Sequence, residues 1–133
     1  LELTQMLKEH NIPIALATSS SGEKTGNVLN SMGISYVFHL IITGTDITKN
    51  KPDPQIYLVA SEKIGIPPEG CVAVEDSVTG IASAKGAGMT CIALRTEATA
   101  KQDISAADKI VDSLGEITLE EYEVLMRKIN EFS

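Results

Sequence analysis

The chain has 133 residues, of which 43% are hydrophobic and 22% charged, so it can fold as one compact domain with its own core. A formal net charge of −7 without a run of lysine or arginine argues against nucleic acid or an anionic membrane as partner, but allows one local basic pocket for a phosphate. No apolar run approaches the ~18 residues that a membrane-spanning helix needs, and residues 1–10 lack the features of a secretory signal.

Short apolar runs alternate along the chain with segments of helical periodicity. In chain order this pattern predicts the end of a helix at 1–10, then strands at 14–17, 38–43, 71–75, 90–94 and 109–111, separated by helices at 23–32, 54–64 and 79–87 and followed by a helix at 118–132. Residues 95–108 are expected to be the least structured part. The alternation is typical of an α/β fold in which right-handed βαβ units build a parallel sheet.

The two cysteines, Cys71 and Cys91, both fall in apolar runs that resemble strands. Buried cysteines without a disulfide framework are typical of the reducing interior of a cell. We therefore expect reduced thiols in a cytoplasmic protein.

Polar residues follow three of the predicted strands. Thr18 and Ser19 follow the first strand, Lys51 follows the second, and Glu75 and Asp76 follow the third. Ligands of open parallel sheets bind at the carboxyl ends of the strands. The coincidence of the three positions indicates a site more strongly than any one of them does.

Each position also has a plain structural interpretation. Thr18 begins a loop that leads into a helix, where hydroxyl and N–H groups could bind an anion; taken alone, capping of that helix is the better interpretation. Lys51 lies between Asn50 and Pro52-Asp53-Pro54, whose prolines restrict the backbone. A lysine held in this way suits a point charge aimed at a phosphoryl group, and a solvated turn explains it equally well.

The adjacent carboxylates of Glu75 and Asp76 repel each other unless a cation or hydrogen-bond donors lie between them. Mg²⁺, which binds one or two carboxylates together with phosphate oxygens and water, would remove this repulsion. The structural alternative is that Asp76 only caps the next helix. Because of the neighbouring signals we favour the metal. Tyr57 is interpreted as a helix residue at packing spacing.

Three segments in order resemble motifs of one family. IALATSS at 14–20, KPDPQIY at 51–57 and VAVEDSVTGIASAKGAGM at 72–89 resemble the second, third and fourth motifs of the haloacid dehalogenase superfamily of phosphohydrolases. The branch that they resemble most contains β-phosphoglucomutase and sugar-phosphate phosphatases. The resemblance covers residues 1 to about 95, and the G-I-x-x-A-x-x-A-G-M pattern of the last segment is the most specific part.

The resemblance implies a Rossmann-like, three-layer α/β/α core and a role for each residue of the site. Thr18 and the backbone N–H of Ser19 would hold the transferring phosphoryl group, and Lys51 would neutralise its charge. Asp76 would bind Mg²⁺, and Glu75 would either bind the ion or support a residue that does. Phosphoryl transfer depends mainly on positioning and charge neutralisation, which agrees with this set of residues.

The chain departs from the family at its start. The family's nucleophile is the first aspartate of an Asp-x-Asp-Gly segment, and no Asp-x-Asp occurs in the 133 residues. The helical cap between the first two family motifs is also missing, and the first residue is Leu1 rather than methionine. We therefore expect residues 1–133 to be the C-terminal portion of the core, completed by an N-terminal segment or by a second chain. The missing strand would lie between those predicted at 14–17 and 71–75.

The leading hypothesis is that the complete protein is a Mg²⁺-dependent phosphatase of small phosphorylated metabolites, such as sugar phosphates, acting through an aspartyl-phosphate. The 133-residue stretch alone is expected to be inactive. One alternative is a mutase of the β-phosphoglucomutase type, which returns the phosphoryl group to a sugar. The other, from a different class, is a non-catalytic phosphate-binding or interaction module.

Overall fold

The structure is a computed structural model that describes residues 6, 7, 9, 10, 12–18, 21–32 and 40–117. It contains strands β1 (Ala15–Ala17), β2 (Leu40–Ile42), β3 (Val72–Glu75), β4 (Thr90–Leu94) and β5 (Lys109–Val111), and helices α1 (Gly22–Met32), α2 (Gln55–Ile64) and α3 (Val78–Gly86). These elements lie close to the predicted bounds. The predicted helix at 118–132 lies outside the described residues, as does the start of the strand predicted at 38–43.

All strand pairs in the described part of the chain are parallel, which confirms the predicted α/β class. Strand β1 pairs with β2 in a sheet of two strands, and β3, β4 and β5 pair in that order in a sheet of three. Among the described residues no strand joins β1 to β3. The parallel ladder therefore consists of two parts, with β1 and β3 each at an edge.

The larger of the two apolar clusters among the described residues joins the two sheets. Helix α2 packs on β1 and β2, α3 packs on β3 and β4, and the two helices contact each other. The core contains Ile42 from the first sheet, Ala73 and Cys91 from the second, and Ile56 and Ile81 from the helices, all nearly or fully buried. Burial of apolar surface between helices and strands is therefore what joins the two sheets.

The ends of α2 and α3 are fixed by local hydrogen bonds. The Asp53 carboxylate accepts a hydrogen bond from the Gln55 N–H at 2.9 Å, and Gly65 ends α2 in the left-handed conformation with φ 79°. The Ser77 hydroxyl caps α3 by accepting from the Gly80 N–H at 3.0 Å. Both helices that flank the predicted site are thus held at their first turns.

The segment 95–108 contains no α-helix or strand, as expected, but it is closely tied to the core. It forms one 3-10 turn at Glu97–Thr99, and Ile104 is buried in the main core. The Asp108 carboxylate accepts hydrogen bonds from the Cys91 N–H and the Lys85 ammonium, each at 2.8 Å. No helix in the described part of the chain has the length and apolar character to cross a membrane.

Candidate functional site

A cavity of about 880 Å³ separates the edge strands β1 and β3. Residues of both strands line its apolar part. Its polar part is formed at the carboxyl ends of these strands and by the loop that follows β2. Thr18, Lys51, Glu75 and Asp76 all line this one cavity. The structure therefore brings together the four described residues that the sequence selected, and Ser19 lies outside the described residues.

The Lys51 loop is held by side chains from two helices. The Gln55 amide oxygen at the start of α2 accepts hydrogen bonds from the Thr48 and Lys49 N–H groups at 2.8 and 2.7 Å. The Ser83 hydroxyl of α3 donates to the Asp53 carbonyl oxygen at 2.7 Å, and the Lys51–Pro52 peptide bond is cis. The loop is therefore anchored on both sides of Lys51.

The Lys51 side chain is not a solvated turn residue. Its ammonium donates to Glu75 Oε2 at 2.6 Å, and the two side chains are only 16% and 6% exposed. The ammonium also lies 5.3 Å from the centre of the Tyr57 ring, within the range of a cation–π contact. The solvated-turn interpretation of Lys51 is therefore wrong.

Glu75 is buried and accepts two hydrogen bonds on one oxygen atom. Besides Lys51, the Tyr57 hydroxyl donates to Glu75 Oε2. Burial, followed by the negative charge of Glu75, raises the pKa of the Tyr57 hydroxyl far above its ordinary value. Tyr57 is thus a protonated donor, and together with Lys51 it offsets the cost of burying the carboxylate.

Asp76 differs from its neighbour in environment. Its side chain is exposed on the cavity wall, whereas Glu75 is buried. The capping residue of α3 is Ser77, so Asp76 is not the cap. The two carboxylates therefore avoid repulsion in part by occupying different environments, with donors on Glu75 and the cavity beside Asp76.

Thr18 ends β1 at the mouth of the cavity. Its N–H donates to the Ile42 carbonyl oxygen at 3.0 Å, which extends the β1–β2 ladder by one residue. The hydroxyl that caps the next helix belongs to Ser21, which accepts from the Lys24 N–H at 3.2 Å. The loop after β1 therefore caps α1, as predicted, and the residue that does so is Ser21.

Two residues of the site were missed in the sequence. Tyr57 contacts both Lys51 and Glu75, and Gly80 lies against the Glu75 carboxylate. Tyr57 is the last residue of the KPDPQIY segment and lies on a helix face that packs toward the sheet, but neither signal distinguishes packing from a polar contact.

The donor set fits Mg²⁺ in its chemistry. Within the described part of the chain no three His, Cys, Asp or Glu side chains converge on a metal position. Mg²⁺ in phosphoryl-transfer sites needs only one or two carboxylates, because phosphate oxygens and water complete its octahedron. The exposed Asp76 carboxylate, with Glu75 beside it, meets this minimum.

Comparison with known proteins gives one family. The sequence model described as haloacid dehalogenase-like hydrolase matches residues 1–94. A CBBY-like protein of Arabidopsis thaliana is 44% identical over 84 residues, which are 63% of this chain and 26% of that protein. The β-phosphoglucomutase of Bacillus subtilis is 36% identical over 114 residues, which are 86% of this chain and 48% of that protein.

Solved structures resemble the chain over most of its length. CbbY from Rhodobacter sphaeroides in complex with phosphate has a TM-score of 0.86 and 32% identity, and the match covers 92% of this chain and 56% of that one. A mutant of CbbY from the same organism, in complex with xylulose-(1,5)bisphosphate, has a TM-score of 0.84. The chain spans about half or less of the length of the two curated relatives.

Proposed function

Because the chain belongs to the haloacid dehalogenase-like hydrolase family, we propose that it is the C-terminal portion of the core of a Mg²⁺-dependent phosphatase of small phosphorylated metabolites. The proposal depends on one observation, namely that Thr18, Lys51, Glu75 and Asp76 all line the same cavity. A phosphoryl group needs positive charge and hydrogen-bond donors around its oxygens. The cavity contains the Lys51 ammonium, the Thr18 hydroxyl and the exposed Asp76 carboxylate, which a cation can reach.

Each residue has a role in this proposal. The Lys51 ammonium neutralises the phosphoryl charge, and Thr18, with the N–H of Ser19, holds the phosphoryl oxygens. Asp76 holds the Mg²⁺, which when bound supplies positive charge to the phosphoryl oxygens. Glu75, whose Oε2 accepts from Lys51 and Tyr57, orients the Lys51 ammonium beside this site.

The nucleophile in this proposal is an aspartate on a segment outside the 133 residues. An extended segment between β1 and β3 would pair with both edges and deliver its carboxylate to the polar end of the cavity. This carboxylate attacks phosphorus, and the P–O bond to the alcohol breaks as the second aspartate of the segment protonates the departing oxygen. Water then hydrolyses the acyl phosphate, gives a proton back to the second aspartate, releases phosphate and restores the carboxylate. Residues 1–133 alone lack this group and are inactive on this account.

Sugar phosphates are the substrate class that we propose. The CbbY structures contain phosphate and a pentulose bisphosphate, and the Bacillus relative is a β-phosphoglucomutase. The same relative supports a second candidate, a mutase that returns the phosphoryl group to the sugar. The two free thiols, Cys71 and Cys91, agree with a cytoplasmic setting.

A product assay tests the proposal. The native polypeptide is purified from its source, its N-terminal sequence and intact mass are determined, and it is offered a panel of sugar phosphates with Mg²⁺. We expect a mass above that of residues 1–133, an Asp-x-Asp-Gly segment and release of free phosphate. Isomerised sugar phosphate without release would identify the mutase. Phosphate binding without turnover would identify a non-catalytic module.

A further inference from the structure

The Glu75 carboxylate is enclosed from three directions. Lys51 Nζ donates to its Oε2 at 2.6 Å, and the Tyr57 hydroxyl donates to the same oxygen. On the third side lies Gly80, where an added Cβ would be 1.9 Å from Oε1 and 2.2 Å from Cδ of Glu75. A real Cβ atom could not occupy that position. The Glu75 carboxylate therefore fills the space that a side chain at position 80 of α3 would take.

Tyr57 is well suited to fix this carboxylate. It is 8% exposed and belongs to α2, which is anchored at its start by Asp53 and ended by Gly65. Its ring contacts the Lys51 ammonium while its hydroxyl binds Glu75. One rigid side chain therefore contacts both members of the ion pair.

Gly80 is equally fixed. Its N–H donates to the Ser77 hydroxyl that caps α3, so the backbone against which Glu75 packs does not move freely. The carboxylate is thus confined between the first turn of α3 and the hydroxyl of Tyr57.

We propose that Tyr57 is a positioning residue of the site. Its hydroxyl binds Glu75, and Gly80, which has no Cβ, lets the carboxylate pack against α3. Together these two contacts hold Glu75 where it orients the Lys51 ammonium. The proposal rests on the proposed function only in assigning Lys51 to a phosphoryl group. Lysine is a flexible point charge, and an acceptor fixed by two other groups restricts where that charge lies. Tyr57 acts through Glu75, to which its hydroxyl donates.

Two variants of the native polypeptide test this inference, with a third as control. Tyr57→Phe removes the hydroxyl and keeps the ring that contacts Lys51. Gly80→Ala displaces the carboxylate. Gly86→Ala, on the same helix, is the matched control, because its Cβ would make only ordinary contact with Pro54 at 3.5 Å. The readouts are the ¹H–¹⁵N NMR signal of the Lys51 ammonium and the kcat and KM for p-nitrophenyl phosphate with Mg²⁺.

In the wild type, the Lys51 ammonium signal should be visible because the group is held in hydrogen bonds. Tyr57→Phe and Gly80→Ala should each broaden or shift this signal and lower kcat about tenfold, as expected for loss of one hydrogen bond to a charged group. KM should change less than about twofold, because the lost interaction is with the protein and not with the substrate. Gly86→Ala should match the wild type.

A wild-type protein without a Lys51 ammonium signal, or Tyr57→Phe with the signal and kcat of the wild type, overturns the inference. If Gly80→Ala does not fold, Tyr57→Phe decides alone. If no variant and no wild-type protein turns over substrate, the proposed function fails, and the Lys51 signal by itself decides whether Tyr57 positions the ion pair.

Discussion

At the scale of single residues, the central feature is a buried carboxylate with two donors on one oxygen. Glu75 is 7% exposed, and a buried charge is tolerated only when it is paired and hydrogen-bonded. Lys51 supplies the charge, and Tyr57 supplies a second hydrogen bond. Lys51 therefore supports the fold as well as the proposed chemistry.

The first prediction concerns this pair. Lys51→Ala should lower the free energy of unfolding by about 1–3 kcal/mol, because the Glu75 carboxylate stays buried without its charged partner. Adding Glu75→Gln should restore part of that loss, giving a coupling of about 1 kcal/mol in a double-mutant cycle. Urea denaturation of the wild type, the two single variants and the double variant measures this coupling energy. Strictly additive losses would show that the two side chains do not interact in solution.

The second prediction concerns Asp108. Its burial opposes ionisation, but the hydrogen bonds from Lys85 and the Cys91 N–H outweigh this effect and hold its pKa below the ordinary value of 3.8. A carboxyl whose pKa is lowered by folding stabilises the native state above its ordinary pKa, and this stabilisation is lost as the pH falls through the lowered value.

Asp108→Asn should therefore be less stable than the wild type near neutral pH, and the difference should narrow as the pH falls below 3.8. Melting temperatures measured between pH 7 and pH 3 test this. Asp112→Asn is the matched control, because the Asp112 side chain is 71% exposed and its oxygen lies 3.6 Å from Arg95. A constant difference for Asp108→Asn across this range would contradict the assignment.

At the scale of helices and strands, periodicity and turn residues were sufficient to locate the strands and α-helices between Ala15 and Val111. Gly65 ends α2 in the left-handed conformation, as its place after an apolar helix suggests. Periodicity does not say what a side chain touches across the fold. Tyr57 therefore looked like a packing residue. Gly80 stood out only as the first glycine of the G-I-x-x-A-x-x-A-G-M pattern, and its contact with Glu75 was not predicted, because that contact depends on how closely α3 approaches β3.

That the candidate site residues line one cavity was predictable for a different reason. Thr18, Lys51 and the Glu75-Asp76 pair follow strands whose carboxyl ends meet at one edge of a parallel arrangement. The strand topology alone therefore predicts that these residues lie close together, even when no side-chain contact is known. That Glu75 is buried while Asp76 is exposed was not predicted, although Glu75 lies on the same buried face of β3 as Ala73.

The third prediction compares Gly65, which ends α2, with Gly26, which lies inside α1. At Gly65 and Gly26 an added Cβ would meet no described atom within 4 Å, but Gly65 has φ +79° and Gly26 lies inside α1. Gly65→Ala should cost about 1 kcal/mol of unfolding free energy, from backbone strain alone. Gly26→Ala should add about 0.5–1 kcal/mol, because alanine favours the helix.

Chemical denaturation of both variants measures these changes. If both variants changed the free energy of unfolding by the same amount and in the same direction, backbone conformation would not determine the effect of alanine at these positions.

At the scale of the whole molecule, two small parallel sheets are joined by the packing of α2 and α3. The edges of β1 and β3 face each other across a cavity of about 880 Å³. Unpaired strand edges are sites at which a further strand can add. In the account proposed here, that strand carries the nucleophile to the polar end of the cavity, so completing the sheet and completing the active site are one event.

The fourth prediction tests the central claim, that Asp76 holds the Mg²⁺ which serves a phosphoryl group beside Lys51. The measurement is the initial rate of phosphate release by the native polypeptide as a function of Mg²⁺ concentration, for the wild type and for Asp76→Asn. The wild-type rate should rise with Mg²⁺ and saturate, and Asp76→Asn should lose about 100-fold in rate together with the saturable response. An Asp76→Asn protein with the wild-type rate and Mg²⁺ response would contradict the account.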